Sequence, residues 1–174
     1  RVMSVLRPVL AAALAELYPG ACDEALAGDA STRRFHRLVL PNGGTRVVMD
    51  YGAPFVGETD DVRLARIFEQ ASLPVARVLH ILPEAGALVL QDLGDDTLEV
   101  ALSRAGSGGR PARDHLYRSA VRLAAEIATR GTEALQRSDR ARGPALDSER
   151  FLFEMRFFLE HYVGGFLGRP EVAI

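Results

Sequence analysis

Positions 28–34 read Gly28-Asp29-Ala30-Ser31-Thr32-Arg33-Arg34, five small or short polar residues followed by two cations. Small side chains let backbone N–H groups approach an anion closely, and neighbouring guanidiniums add charge-assisted donors. The stretch is therefore a candidate turn for holding phosphate oxygens. The same residues also suit an ordinary hairpin with solvated arginines. Other chemistry-bearing patterns are missing: there is no Gly-x-Ser-x-Gly elbow and no Walker-type loop. His36, His80, His115 and His161 lack Cys or His partners at metal-ligand spacing, so no zinc site is expected. Cys22 is the single cysteine, which excludes an internal disulfide and makes a reducing cytoplasm the default compartment; a buried bystander is expected rather than a reactive thiol.

The elements that must position these residues follow from periodicity. Val2, Val5, Val9, Leu10, Ala13, Leu14 and Leu17 have helical spacing, ended by Tyr18-Pro19-Gly20. A strand is predicted at about 23–27. A second at 34–40 alternates Phe35, Arg37 and Val39 with His36, Leu38 and Leu40. Asn42-Gly43 tolerates positive φ at both positions and predicts a hairpin into a third strand at 45–50. Thr59 can cap a helix over about 60–72, with Asp60 and Asp61 where the helix dipole favours negative charge and Pro74 as its stop. Strands at 75–82 and 87–91 follow. After Gly94 the pattern turns helical. The glycine-rich 103–113 reads as a loop, and Asp147 or Ser148 caps a last helix through Tyr162, ended by Gly164-Gly165. On that helix Phe151, Phe153, Phe157 and Phe158 read as core, while Glu154 suits a solvated face or an ion pair with Arg150 ahead of a contact with substrate hydroxyls. The fold class is α+β: a five-stranded antiparallel lobe over 1–94, then the start of a helical lobe over 95–174.

Composition narrows the function classes. Apolar residues make up 48% of the 174, which suits a globular chain, and a net charge of −2 gives no electrostatic case for a nucleic-acid partner. No apolar run reaches the length of a transmembrane helix, and no membrane association is expected. All 21 basic residues are arginine, as GC-rich coding would produce. The chain starts at Arg1 and stops in mid-pattern at Ile174, so it is expected to be part of something longer.

Four stretches in this order resemble the aminoglycoside-phosphotransferase-like family of small-molecule kinases, within it the anomeric kinases of N-acetylmuramate and N-acetylglucosamine. They are Gly28 through Phe35, Val47-Val48-Met49-Asp50, Leu90-Gln91-Asp92-Leu93-Gly94-Asp95 and Phe153-Glu154-Met155-Arg156-Phe157-Phe158. The resemblance implies a protein-kinase-like fold, ATP as nucleotide with magnesium, and a sugar as acceptor. It implies that Gly28 through Thr32, with Arg33 and Arg34, lie over the ATP phosphates. It implies that Val48 packs against adenine, a role that plain core packing shares. It implies that Leu90 precedes a hinge in which the Gln91 carbonyl accepts from the adenine amino group and the Leu93 N–H donates to the ring. Asp50 stands where protein kinases carry a phosphate-pairing lysine, and an aspartate cannot take that role.

Phosphoryl transfer in this family uses an aspartate for the acceptor hydroxyl, an asparagine that helps hold metal, and a second metal-binding aspartate. The loop His-x-Asp-x-x-x-x-Asn is not in this sequence, whose sole asparagine, Asn42, lies in the hairpin. No catalytic residue and no magnesium ligand is expected here. The rival readings are an aminoglycoside or other small-alcohol kinase, a non-catalytic nucleotide-binding module, and an α+β domain that binds no nucleotide.

Overall fold

The computed structural model describes residues 6–26, 33–105, 110–138 and 147–169. The chain divides into two compact units, 1–138 and 139–174, each taken by itself.

In the first unit, α1 (Pro8–Leu17) starts on a proline, whose fixed φ suits a first helical position. Leu10 and Leu14, one turn apart, are its buried residues. Five strands follow: β1 (Cys22–Ala25), β2 (Arg34–Val39), β3 (Thr45–Asp50), β4 (Val78–Leu82) and β5 (Ala87–Gln91), with α2 (Asp60–Gln70) between β3 and β4. All pairings are antiparallel and the sheet order is β1-β2-β3-β5-β4. The β2–β3 hairpin forms at Asn42-Gly43 as expected. Gly43 has φ +80°, Leu40 N–H donates to the Gly44 carbonyl at 2.8 Å, and the Asn42 side chain accepts from Gly44 N–H at 3.0 Å.

Alternation sorts the sheet into two faces. Leu38, Val48, Ala87 and Val89 share one face and form a buried cluster with Leu10, Leu14 and Ala85. Burying a leucine of this kind contributes roughly 1.5–3 kcal/mol. Leu88, fully buried, points to the opposite face by the same alternation. It lies outside that cluster, as do buried Val62 and Ile67 of α2 and Leu73 just after it.

Several boundaries differ from expectation. The first strand ends at Ala25, and the fourth begins at Val78 rather than 75, with an irregular register between Val78 and His80. α2 ends at Gln70, four residues before Pro74, because Ser72 turns left-handed at φ 54° and Leu73 N–H bonds back to Phe68. Arg130 donates to the Ala71 and Ser72 carbonyls just past that helix, complementing its negative end. Cys22 is exposed, not buried.

The segment expected to be a loop at 103–113 is helical on both sides: α3 (Leu98–Ala105) and α4 (Arg110–Glu126). Pro111 falls in the first turn of α4, where its missing N–H has no intrahelical role. One π-helical turn (Ile127–Gly131) then leads into α5 (Thr132–Gln136). Thr129 donates its hydroxyl to the Ala125 carbonyl in that turn, the kind of back-bond that perturbs a helix ladder.

The second unit holds α6 (Ser148–Phe158), capped by Asp147, which accepts from Arg150 N–H at 2.9 Å. The helix continues as a π-helix (Leu159–Phe166) through Gly164-Gly165, so those glycines do not end it. The expected core aromatics Phe151, Phe153, Phe157 and Phe158 are all exposed. Rings instead run along the helix surface in contact with one another, Phe158–Tyr162 at 5.1 Å and Tyr162–Phe166 at 5.5 Å between centroids. Helical spacing identifies a shared face but not whether anything covers it.

Candidate functional site

Gly28, Asp29, Ala30, Ser31 and Thr32 lie outside the described residues. The two arginines after them go different ways. Arg33 donates to Asp61 in the first turn of α2, with Nη1–Oδ1 3.1 Å and Nη2–Oδ2 3.0 Å. Its guanidinium also lies 5.3 Å above the Tyr51 ring. The Tyr51 hydroxyl donates to Asp61 Oδ2 at 2.7 Å and lies 3.2 Å from the Thr59 hydroxyl, and Thr59 is the residue that caps α2. Burial, reinforced by Asp61, pushes the Tyr51 phenol above its ordinary value, so it stays a neutral donor. Arg34 is exposed, and its side chain makes no hydrogen bond or ion pair with another described residue; it opens β2 opposite Asp50. So one guanidinium is fixed beside α2 and its neighbour reaches into solvent.

Val48 and Asp50 share the face that α1 covers. Val48 is fully buried in the α1-side cluster, packed as a core residue. Asp50 is buried beside Arg7, which also donates to the Ala85 carbonyl. Met49, opposite Leu88 in the register, points to the other face. A strand's period of two makes the distinction sharp: the last carboxylate of β3 faces the first helix and is bonded there.

The connector after β5 is more tightly organised than its acidic composition suggests. Gln91 N–H donates to the Arg77 carbonyl at 2.8 Å, and its side-chain oxygen accepts from Arg77 Nε at 3.3 Å. Leu93 is 69% exposed. Arg37, from the middle of β2, donates to both connector aspartates. The distances are Nε–Asp92 Oδ2 2.6 Å, Nη2–Asp92 Oδ1 3.2 Å, Nη1–Asp95 Oδ2 2.8 Å and Nη2–Asp95 Oδ1 2.8 Å. Asp92 Oδ1 also accepts from Gly94 N–H at 2.8 Å, and Gly94 has φ +81°. The Arg37 bonds hold the Asp92 carboxyl below its ordinary value against the opposing effect of burial, with the Gly94 N–H and the Thr45 hydroxyl helping. Asp95 is likewise lowered, by Arg37 first.

Glu154, in the second unit, pairs with Arg150 one turn earlier at 2.9 Å. Among the described residues no group of three or more His, Cys, Asp or Glu is arranged to hold a metal ion. No described helix is long and apolar enough to cross a membrane.

Arg33 and the connector were legible in sequence as candidates. Arg37, Asp61 and Tyr51 were not. The only trace of Arg37's role was a cation alternating with Phe35 and Val39 on one strand face, and its partners stand 55 and 58 residues away.

The chain is 28% identical over 143 residues to an N-acetylmuramate/N-acetylglucosamine kinase of Neisseria meningitidis serogroup B (strain ATCC BAA-335 / MC58). The match takes in 82% of this chain and 40% of that protein, so the chain spans well under half the length of the relative it resembles. No protein-family model matches, and no solved structure gives a significant match. The similarity is a distant one to a sugar kinase, carried by a mixed α/β chain with a five-stranded antiparallel sheet.

Proposed function

We propose, from that distant likeness to a sugar kinase, that this chain is the nucleotide-gripping N-terminal part of a longer ATP-dependent kinase with a protein-kinase-like fold. Its acceptor is a sugar hydroxyl, the anomeric one of N-acetylmuramate or N-acetylglucosamine. The observation that carries the reading is the match to the Neisseria kinase over 82% of the chain, joined to a five-stranded antiparallel sheet that ends in an ordered acidic connector.

In this reading the turn Gly28 through Thr32 offers backbone N–H groups to phosphate oxygens, and Arg33 and Arg34 offer guanidiniums. Arg33 takes the place of the phosphate-pairing lysine that the sequence lacks altogether. Asp61 and Tyr51 support it, since the carboxylate of one and the ring of the other fix the guanidinium beside the first turn of α2. The Gln91 carbonyl and Leu93 N–H meet the adenine edge. Val48 stays in the core. ATP supplies the γ-phosphoryl group. Glu154 contacts the acceptor only if its bond to Arg150 is exchanged for one to a sugar hydroxyl. The described residues do not fit a magnesium site, and none is assigned to them.

The test is sugar-dependent ADP release by the complete protein with ATP and magnesium. N-acetylmuramate, N-acetylglucosamine and an aminoglycoside are offered in parallel. Turnover of an N-acetyl sugar supports the full reading. Turnover of the aminoglycoside alone keeps the kinase and removes the sugar assignment. ATP binding without turnover of any acceptor leaves a non-catalytic nucleotide-binding module, and no ATP binding ends the proposal.

A further inference from the structure

We infer that Arg37 is a positioning residue whose single guanidinium, shared between Asp92 and Asp95, sets the backbone shape of the connector that meets the nucleotide. The inference rests on the nucleotide reading above.

Asp92 and Asp95 stand three residues apart, with Gly94 in the left-handed region between them. That turn brings two carboxylates onto the same side of a short loop, where they would repel without a cation. Arg37 supplies the cation from a rigid strand, and each carboxylate receives two of its N–H groups. Asp92 in turn accepts from the Gly94 N–H, so the cation, the carboxylate and the loop backbone form one continuous bonded unit. The Asp92 side chain is 4% exposed and the Asp95 side chain 77% exposed, so one arm is anchored in the protein and the other stands in water.

A ligand read by backbone groups needs those groups already in place, or it must order them at the cost of its own affinity. Lysine cannot substitute, because an ammonium lacks the planar fork that serves two carboxylates at once. A purely structural salt bridge would change stability and leave nucleotide affinity alone, so the two roles give different measurements.

The experiment uses the complete protein and compares Arg37→Ala, Arg37→Lys and Asp95→Asn, varying ATP and sugar separately. Arg37→Ala should raise KM for ATP by about tenfold or more, while kcat and the KM for sugar stay within about threefold. Arg37→Lys should resemble the alanine variant more than the wild type, and Asp95→Asn should raise the KM for ATP by about two- to fivefold. A folded Arg37→Ala protein with unchanged KM for ATP overturns the inference. If that variant fails to fold, Asp95→Asn decides alone, and an unchanged KM for ATP overturns it again. Amide hydrogen exchange over residues 91–96 separates the two layers. Faster exchange in Arg37→Ala, in a protein that binds no ATP, keeps the clamp and removes the kinase. Unchanged exchange removes the clamp.

Discussion

Arg7 Nη2 lies 2.6 Å from Asp50 Oδ1, joining the N-cap of α1 to the last residue of β3 across 43 positions of sequence. Asp50 Oδ1 also accepts from Gly52 N–H at 2.8 Å, so the carboxylate closes the chain behind the strand as well. Burial alone would raise the Asp50 carboxyl. The Arg7 and Gly52 bonds outweigh it and leave the group below its ordinary value of 3.8.

Removing the cation should therefore hurt more than its partial exposure suggests. Arg7→Ala leaves Asp50 buried with a single backbone donor, and a loss of about 2–4 kcal/mol is expected, somewhat under that for a fully buried pair. Urea unfolding monitored by circular dichroism measures it. Asp50→Asn, which keeps the Gly52 bond, should cost less than Arg7→Ala.

His36 gives stability a pH signature. The imidazole is buried and pushed below its ordinary 6.5, against the pull of Asp23 and Asp50 and with Arg34 adding to the effect. The unfolded chain then binds a proton that the folded one resists. Stability is full above 6.5 and should decline as pH falls through the folded value of His36. A second decline, from Asp50, should begin below 3.8 and continue through its own folded value. His36→Gln should erase the first decline and keep the second, in urea titrations taken across this range.

The phosphate reading of Arg33 and Arg34 makes a binding prediction. Losing one charge-assisted hydrogen bond costs about 1.5–3 kcal/mol, so Arg33→Ala with Arg34→Ala should weaken ATP at least about tenfold in the complete protein. Asp61→Asn should weaken it less, because the amide still accepts one bond while releasing the charge that fixes Arg33. Calorimetric titration checks both. Wild-type affinity in the double variant would take these residues out of the phosphate site.

The 174 residues alone should release no ADP in response to sugar, since they contain no aspartate–asparagine loop of the kind phosphoryl transfer uses. They should also self-associate, because Phe151, Phe153, Phe157, Phe158 and Phe166 present apolar surface to solvent. Phe153→Ser with Phe157→Ser should reduce the apparent mass in sedimentation. Sugar-dependent turnover by the purified chain would overturn the first expectation.

Local chemistry was what the sequence exposed. The third and fifth strands, the Asn42-Gly43 turn and the Thr59 cap each depend on a few adjacent residues, and each was found in place. Pro74 misled as the stop of α2, because a left-handed Ser72 had already ended the helix. The glycines at 164–165 misled in the same way, since an ordered helix can carry glycine at the cost of about 1 kcal/mol each. Non-local pairings left little trace. Asp50 had to choose one of two sheet faces, and periodicity does not say which helix covers which. The bonds from Arg37 to Asp92 and Asp95, and from Arg33 to Asp61, depend on chain folding that no window of residues contains.

The unequal exposure of the two carboxylates on Arg37 makes the connector a salt-graded catch. Mobile ions screen charges over about 8 Å at physiological ionic strength, and they reach the Asp95 arm in open water far more readily than the Asp92 arm beneath it. Concentrated salt should unlatch the outer carboxylate first and leave the inner one seated. The loop would then swing on Asp92 as a pivot while the sheet behind it stays folded.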